Sequence, residues 1–447
     1  MFNRLLSFFK TGLDKPIIED QNKVKILYEK KRLNVYITLI FGYAFFYTTR
    51  LGLSVAKKPL LDAGILDVSE MGIIGSILLY TYAIGKFTNG VLADYANIRR
   101  FMSTALLLSA VVNLIFGFST NFYVFAILWG LNGWFQSMGA APSVVSICQW
   151  YSNKERGTRY GFWAGAHNIG EGITFVGTAF LISLLGWQWG FIGPGIACII
   201  VSVLMFIYLA DRPQTYGLPH IADYTKDYSA GTPVKESMSK LYLMVIKSPI
   251  VWVLGLSSSL MYTARYAINN WGILFLQESK NYSLVDASFV MGAYPILGFL
   301  GAILSGVISD RFFKAKRNTP TLIYGLAEII GLVILFLNPE GNAFIDAIAL
   351  GLFGFGIGGL VVFLAGLVAI DLFPKGVAGS IKGIIGLFSY MGAATQDLIS
   401  GYLIDNSKII IDGKEIYNFD NAFYFWIGAS VLSMLLALTV WNVKPKE

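Results

Sequence analysis

Apolar stretches of roughly 20 residues, each long enough to cross a bilayer as a helix, recur along the whole chain. Twelve are legible, at about 34–56, 71–93, 101–118, 122–150, 158–185, 189–209, 248–277, 286–309, 319–337, 343–370, 377–404 and 421–443. Short polar loops separate them except between 211 and 247, where Asp211-Arg212-Pro213 and Gly217-Leu218-Pro219 open the longest polar interruption. The stretch from Asp223 to Lys240 reads as an exposed linker. The pattern predicts an all-α polytopic membrane protein. Its parts are an N-terminal arm (1–33), a six-helix half (34–210), a linker loop (211–247), a second six-helix half (248–443) and a short tail (444–447). Gly351, Gly354, Gly356, Gly358 and Gly359 read as seams where helices approach closely.

The two halves repeat each other. Tyr47-Thr48-Thr49-Arg50 returns as Tyr262-Thr263-Ala264-Arg265, an offset of 215. Gly90-Val91-Leu92-Ala93-Asp94, followed by Arg99 and Arg100, returns as Gly306-Val307-Ile308-Ser309-Asp310, followed by Arg311, Lys314, Lys316 and Arg317. The chain therefore reads as a duplication with one guanidinium deep in each half. A fixed cation in hydrocarbon costs about 2.5–3.5 kcal/mol on insertion scales, so two matched ones call for an anion between them.

Composition fits a membrane protein and excludes a soluble one: 55% of residues are hydrophobic and 14% charged. Of 34 Lys and Arg, 25 fall in loops on the side of the N-terminus, whereas only Lys57, Lys58, Lys280, Lys408 and Lys414 fall in loops on the other. This asymmetry predicts both termini in the cytoplasm. The net charge of +7 is then a topology signal spread over many loops, and no nucleic acid partner is expected. Four basic residues remain within spans: Arg50, Lys86, Arg265 and Lys382. Cys148 and Cys198 lie in apolar segments and suggest neither a disulfide framework nor a metal site. The first 33 residues lack an apolar core with a cleavage site, so the first span is expected to act as an uncleaved signal-anchor.

The stretch Gly90 to Arg100 resembles the loop signature of the major facilitator superfamily. Within it, the chain resembles the organophosphate:phosphate antiporters, a family of glycerol-3-phosphate and hexose-6-phosphate transporters that includes a sugar-phosphate sensor. The resemblance rests on Arg50, Gly85-Lys86-Phe87, the run Asn132-Gly133 to Pro142, and Glu155-Arg156-Gly157 leading to Trp163 and His167-Asn168-Ile169-Gly170. Arg265-Tyr266 leading to Trp271, and the two Pro-containing motifs after the sixth span, complete it. It covers about residues 34 to 443. It implies the major facilitator fold, twelve helices in two pseudo-symmetric halves, in a bacterial inner membrane. It also implies exchange of inorganic phosphate for an organophosphate by alternating access, by a monomer with no cofactor or metal.

Arginine presents a planar fork of donors suited to phosphate oxygens and keeps its charge, and the resemblance places the phosphate-binding arginines at Arg50 and Arg265. Each is expected well inside a continuous helix. Lys86 lines the substrate path and His167 contacts phosphate, by the same resemblance. Glu171, one turn after His167, is positioned to hold that ring protonated or to bind hydroxyls. Tyr47 and Tyr262 precede the arginines by three residues and share their helix faces. Asn168, Trp163, Tyr266, Gln396 and Asp397 are further candidates for hydroxyl or aromatic contacts. Lys382 lies near a helix end, where snorkelling explains it. Glu328 reads as structural. Asp94, Arg99, Arg100, Asp310 and Arg311 are expected to form inter-helix salt bridges of a gate.

Leu51 stands where close relatives often carry a second basic residue, and Asn270 where the glycerol-phosphate branch carries an acid. The polar residues of spans five and eleven favour hexose 6-phosphate, such as glucose 6-phosphate, over glycerol 3-phosphate. A sugar-phosphate sensor signalling to a membrane kinase is the alternative. An enzyme is not expected, because His167 and His220 form no nucleophile–base pair. A proton-coupled sugar symporter would not need two buried arginines. Arg50→Lys keeps the charge and removes the fork, so phosphate exchange in proteoliposomes should be lost; substantial exchange in that variant refutes a bidentate clamp.

Overall fold

The computed structural model describes residues 7–227, 243, 245–313, 317–368, 378–411 and 414–441. Every predicted span is largely helical among the described residues. Among the described residues, nine helices are long and apolar enough to cross a membrane. The fourth, seventh and eleventh predicted spans are also helical, at Phe122–Gln136 with Ala140–Trp150, at Pro249–Lys280 and at Ala378–Asp405. The fourth is interrupted between its two pieces. The seventh and eleventh carry Arg265, Asn269, Asn270, Lys382, Gln396 and Asp397, which lower their hydropathy.

The first span departs most from expectation. It starts at Gln21, where the Asp20 side chain accepts from the Asn22 and Lys23 amides, and runs as Gln21–Thr48 and then Gly52–Asp62. The predicted continuous helix is thus broken at Thr49 to Leu51, and Arg50 lies in the break. An opened helix leaves backbone carbonyls that must find donors when buried. Here the Thr49 carbonyl accepts from Asn132 Nδ2 at 2.8 Å and from Asn113 Nδ2 at 3.0 Å. The Thr49 hydroxyl bonds with Ser109 Oγ at 3.0 Å and Gln136 Nε2 at 2.9 Å. Spans three and four therefore hold the break open.

The two halves meet along the second and eleventh spans, the outer part of the first against the seventh, and the fifth against the eighth. At the end remote from the N-terminal arm they are tied by Lys58 to Glu278 at 2.7 Å and by Ser69 to Asp405 at 2.8 Å. At the arm end, Lys382 donates to the Tyr160 hydroxyl at 3.0 Å. The glycine seams are where the sequence puts them. A methyl on Gly354 or Gly358 would run into the eighth span at Tyr294 or Gly298, and one on Gly356 or Gly359 into the ninth at Tyr324.

The start of the linker is packed rather than exposed. Buried Asp211 accepts from Thr11 Oγ1 at 2.9 Å, the Gly12 amide at 3.0 Å and Asn97 Nδ2 at 3.0 Å. Arg212 pairs with Asp14 at 2.7 Å, and Tyr224 stacks on Tyr28 with ring centroids 4.0 Å apart. Most of the polar stretch from Asp223 to Lys240 lies outside the described residues.

Asn113→Leu or Asn132→Leu each leaves the Thr49 carbonyl one donor and should cost about 1 kcal/mol; the double variant orphans it and should cost more than the two together. Thermal unfolding in detergent measures this, and strict additivity would refute a shared role.

Candidate functional site: a cationic cavity between the halves

Arg50 extends from the break into a ring of tyrosines. Its guanidinium carbon lies 4.3 Å from the Tyr82 ring centroid, and 5.4, 5.7 and 5.6 Å from those of Tyr47, Tyr266 and Tyr390. Its Nη2 donates to the Tyr266 hydroxyl at 2.9 Å. Tyr47 and Tyr82 belong to the first half, Tyr266 and Tyr390 to the second, so one guanidinium is held by rings from both. Aromatic faces stabilise a desolvated cation by about 2 kcal/mol or more without neutralising it. No carboxylate pairs with Arg50 among the described residues, so the tyrosine ring leaves its charge unneutralised.

Arg265 is treated differently. It lies 5.5 Å from the Tyr262 ring and 5.7 Å from that of Tyr266, and its Nη2 is 3.5 Å from Glu171 Oε1. Asn269 Nδ2 donates to the same oxygen at 3.2 Å. Glu171 Oε2 and Arg265 Nε are buried without a hydrogen-bond partner among the described residues. Buried polar atoms left open are costly, and a bound ligand is one way of satisfying them.

Glu171 thus has Arg265 as its ion-pair partner instead of His167. The guanidinium offers a permanent charge and a fork of donors, whereas His167 Nδ1 is occupied by the Ala164 carbonyl of its own span. The His167 ring lies 5.7 Å from that of Tyr47. Asn168 is buried with its side-chain oxygen facing Gly298 of the eighth span. Trp163 is buried between Tyr43 and Tyr160, at 4.7 and 5.5 Å, in a packing position.

A small cavity of about 20 Å³ lies beside Arg50, lined also by Ser54, Lys57, Tyr266, Asn270 and Asp397. Lys57 was placed by sequence in an outer loop; it is buried on the extra helical turns of the first span, with Nζ 3.0 Å from the centroid of the Trp271 ring. Lys280 is likewise buried, beside Asp346 at 3.8 Å. Asp397 Oδ1 accepts from Trp271 Nε1 at 2.6 Å. Gln396 turns the other way: it donates to Ser400 Oγ at 2.9 Å, which also takes the Trp426 N–H, and it does not line the cavity. Lys86 Nζ lies 4.7 Å from the Tyr390 ring, beside the ring that also faces Arg50. When all are ionised, Arg50, Arg265, Lys57 and Lys86 outnumber Glu171 and Asp397 by two, a field suited to a dianion.

The expected gate salt bridges take another form. Arg99 donates to the Phe206 carbonyl and Arg100 to that of Phe8 at 2.9 Å. Asp94 is exposed, with no ion pair among the described residues. Asp310 pairs with Arg317 at 2.6 Å, while Arg311 is exposed. These groups sit where loops are wet, and backbone carbonyls compete well there with screened ion pairs. Glu328 accepts from Ser430 at 2.7 Å, within the second half.

Lys57, Tyr82 and Tyr390 were not singled out by sequence. The first two carried a usable signal: Lys57 follows Arg50 by seven residues and Tyr82 precedes Lys86 by four, spacings that share a helix face. Tyr390 carried none.

Two helical halves with a buried cavity at their interface are an architecture of membrane proteins built from paired bundles. The chain belongs to the Major Facilitator Superfamily, whose family profile matches residues 39–395. It is 33% identical to the membrane sensor protein UhpC of Salmonella typhimurium, over 99% of each chain. It is 32% identical to a probable hexose phosphate transport protein of Chlamydia pneumoniae, covering 96% of this chain and 95% of that one. It is 34% identical to a glycerol-3-phosphate transporter of Bacillus subtilis, over 98% of each. Among solved structures, an inward-facing, unoccupied bacterial homologue of the human lysosomal transporter Spinster shares the fold, with a TM-score of 0.69 at 15% identity over 92% of this chain and 95% of that one.

An anion bound at Arg265 would have to compete with Glu171, so Glu171→Gln should tighten inorganic phosphate binding about tenfold. Calorimetric titration of the purified protein measures it; unchanged or weaker binding would mean that the carboxylate arranges the site or touches the ligand.

Proposed function

We propose that this multi-pass membrane protein exchanges inorganic phosphate for an organic phosphate ester, preferably a hexose 6-phosphate, by alternating access. The observation that carries the reading is the pair of buried guanidiniums, one from each half, tied across the interface through Tyr266 and Glu171. A phosphoryl group bound by Arg50 and Arg265 replaces those protein contacts with its own oxygens and joins the halves. Without the anion, two like charges oppose the same closure, which disfavours empty return and makes exchange obligatory. Lys86 and His167 draw the anion inward. The relatives named as hexose phosphate and glycerol-3-phosphate transporters support the substrate class. The charge asymmetry of the loops supports an inner-membrane orientation with both termini cytoplasmic.

The likeness to a membrane sensor over nearly the whole chain favours one second reading, a sugar-phosphate receptor that uses the same cavity. Uptake of labelled phosphate into proteoliposomes, with and without internal phosphate, separates the two. Uptake that needs internal phosphate, and is blocked more strongly by hexose 6-phosphate than by glycerol 3-phosphate, is the expected result. Tight binding of the ester with no exchange would replace the transporter with the sensor.

A further inference from the structure

Lys57 and Asp397, one from each half, line the same cavity as Arg50. Both are buried, at 1% exposure each, and no direct ion pair joins them among the described residues. Lys57 Nζ has no hydrogen-bond partner there; it rests on the face of Trp271, whose edge N–H holds Asp397 Oδ1. The second carboxylate oxygen, Oδ2, is also buried without a partner. It fits against Gly75 of the second span, where a Cβ would overlap it. One indole thus contacts a buried, unpaired donor and holds the carboxylate whose other oxygen is unpaired, on two residues that line the same cavity.

We infer that Lys57 and Asp397 form a subsite for the end of the substrate remote from its phosphate, and that this subsite selects a neutral, hydroxyl-bearing end. The inference rests on the phosphate-ester reading above. A hydroxyl both donates and accepts, so it can serve Asp397 Oδ2 and Lys57 Nζ together. A carboxylate at that end meets the Asp397 charge, and an ammonium meets Lys57. Ser54 and Asn270, joined at 3.4 Å, extend the polar wall between Lys57 and Arg50. Because the two residues come from different halves, a substrate that engages both also contributes to closing them.

The test is calorimetric titration of the purified protein with glucose 6-phosphate and with 3-phosphoglycerate, in wild type, Asp397→Asn and Lys57→Met. Asp397→Asn removes the repulsion: glucose 6-phosphate should weaken about tenfold while 3-phosphoglycerate tightens. Lys57→Met should move their ratio the other way, with 3-phosphoglycerate losing more than glucose 6-phosphate. A shift of both esters by the same factor in both variants would overturn the subsite, since that is what a purely structural latch produces. Should one variant fail to fold, the other still reads the ratio. Esters that bind but shift together overturn the subsite alone, whereas wild-type protein that binds neither ester overturns the phosphate-ester reading with it.

Discussion

One backbone carbonyl carries much of the geometry between the halves. Thr49 O belongs to a helix that stops, and in the interior of a membrane protein an unpaired carbonyl is expensive. Asn113 and Asn132 supply its donors from two other spans, while Ser109 and Gln136 hold the neighbouring hydroxyl. These contacts fix a break at which the next residue, Arg50, leaves the helix axis and enters the tyrosine ring. The polarity of the third and fourth spans serves the first span's backbone, and through it the position of the guanidinium.

The duplicated arginines do not have duplicated surroundings. Arg50 keeps its whole charge among aromatic faces, whereas Arg265 shares its charge with Glu171. The seventh span is unbroken at Arg265, so its backbone needs no outside donors. The two halves thus contribute one guanidinium set among rings and one paired with a carboxylate of the other half.

The fold was legible because hydrophobic runs of membrane length leave little ambiguity, and the glycine seams follow from the same pattern. Arg50 and Arg265 stood out because a permanent charge in an apolar run needs an explanation, and Tyr266 because it adjoins Arg265. What the sequence concealed was where apolar runs stop being membrane boundaries. Lys57 lies after a run that looked finished, yet Gly52–Asp62 continues as helix and buries it against Trp271. Gln396 and Asp397 are adjacent and equally polar, but successive helix positions point about 100° apart, so just one of them faces the cavity. The partner of Glu171 lies in the other half, which no local spacing could have revealed.

The break in the first span also has a mechanical side. Gln21–Thr48 is a single helix of 28 residues, or about 42 Å of rod, ending beside Arg50. If it tilts about that end by ten degrees, its far tip sweeps roughly 7 Å while the guanidinium hardly moves. The arm strapped around Asp211 travels with the tip. A bundle hinged in this way can swing its ends widely around a nearly stationary hub.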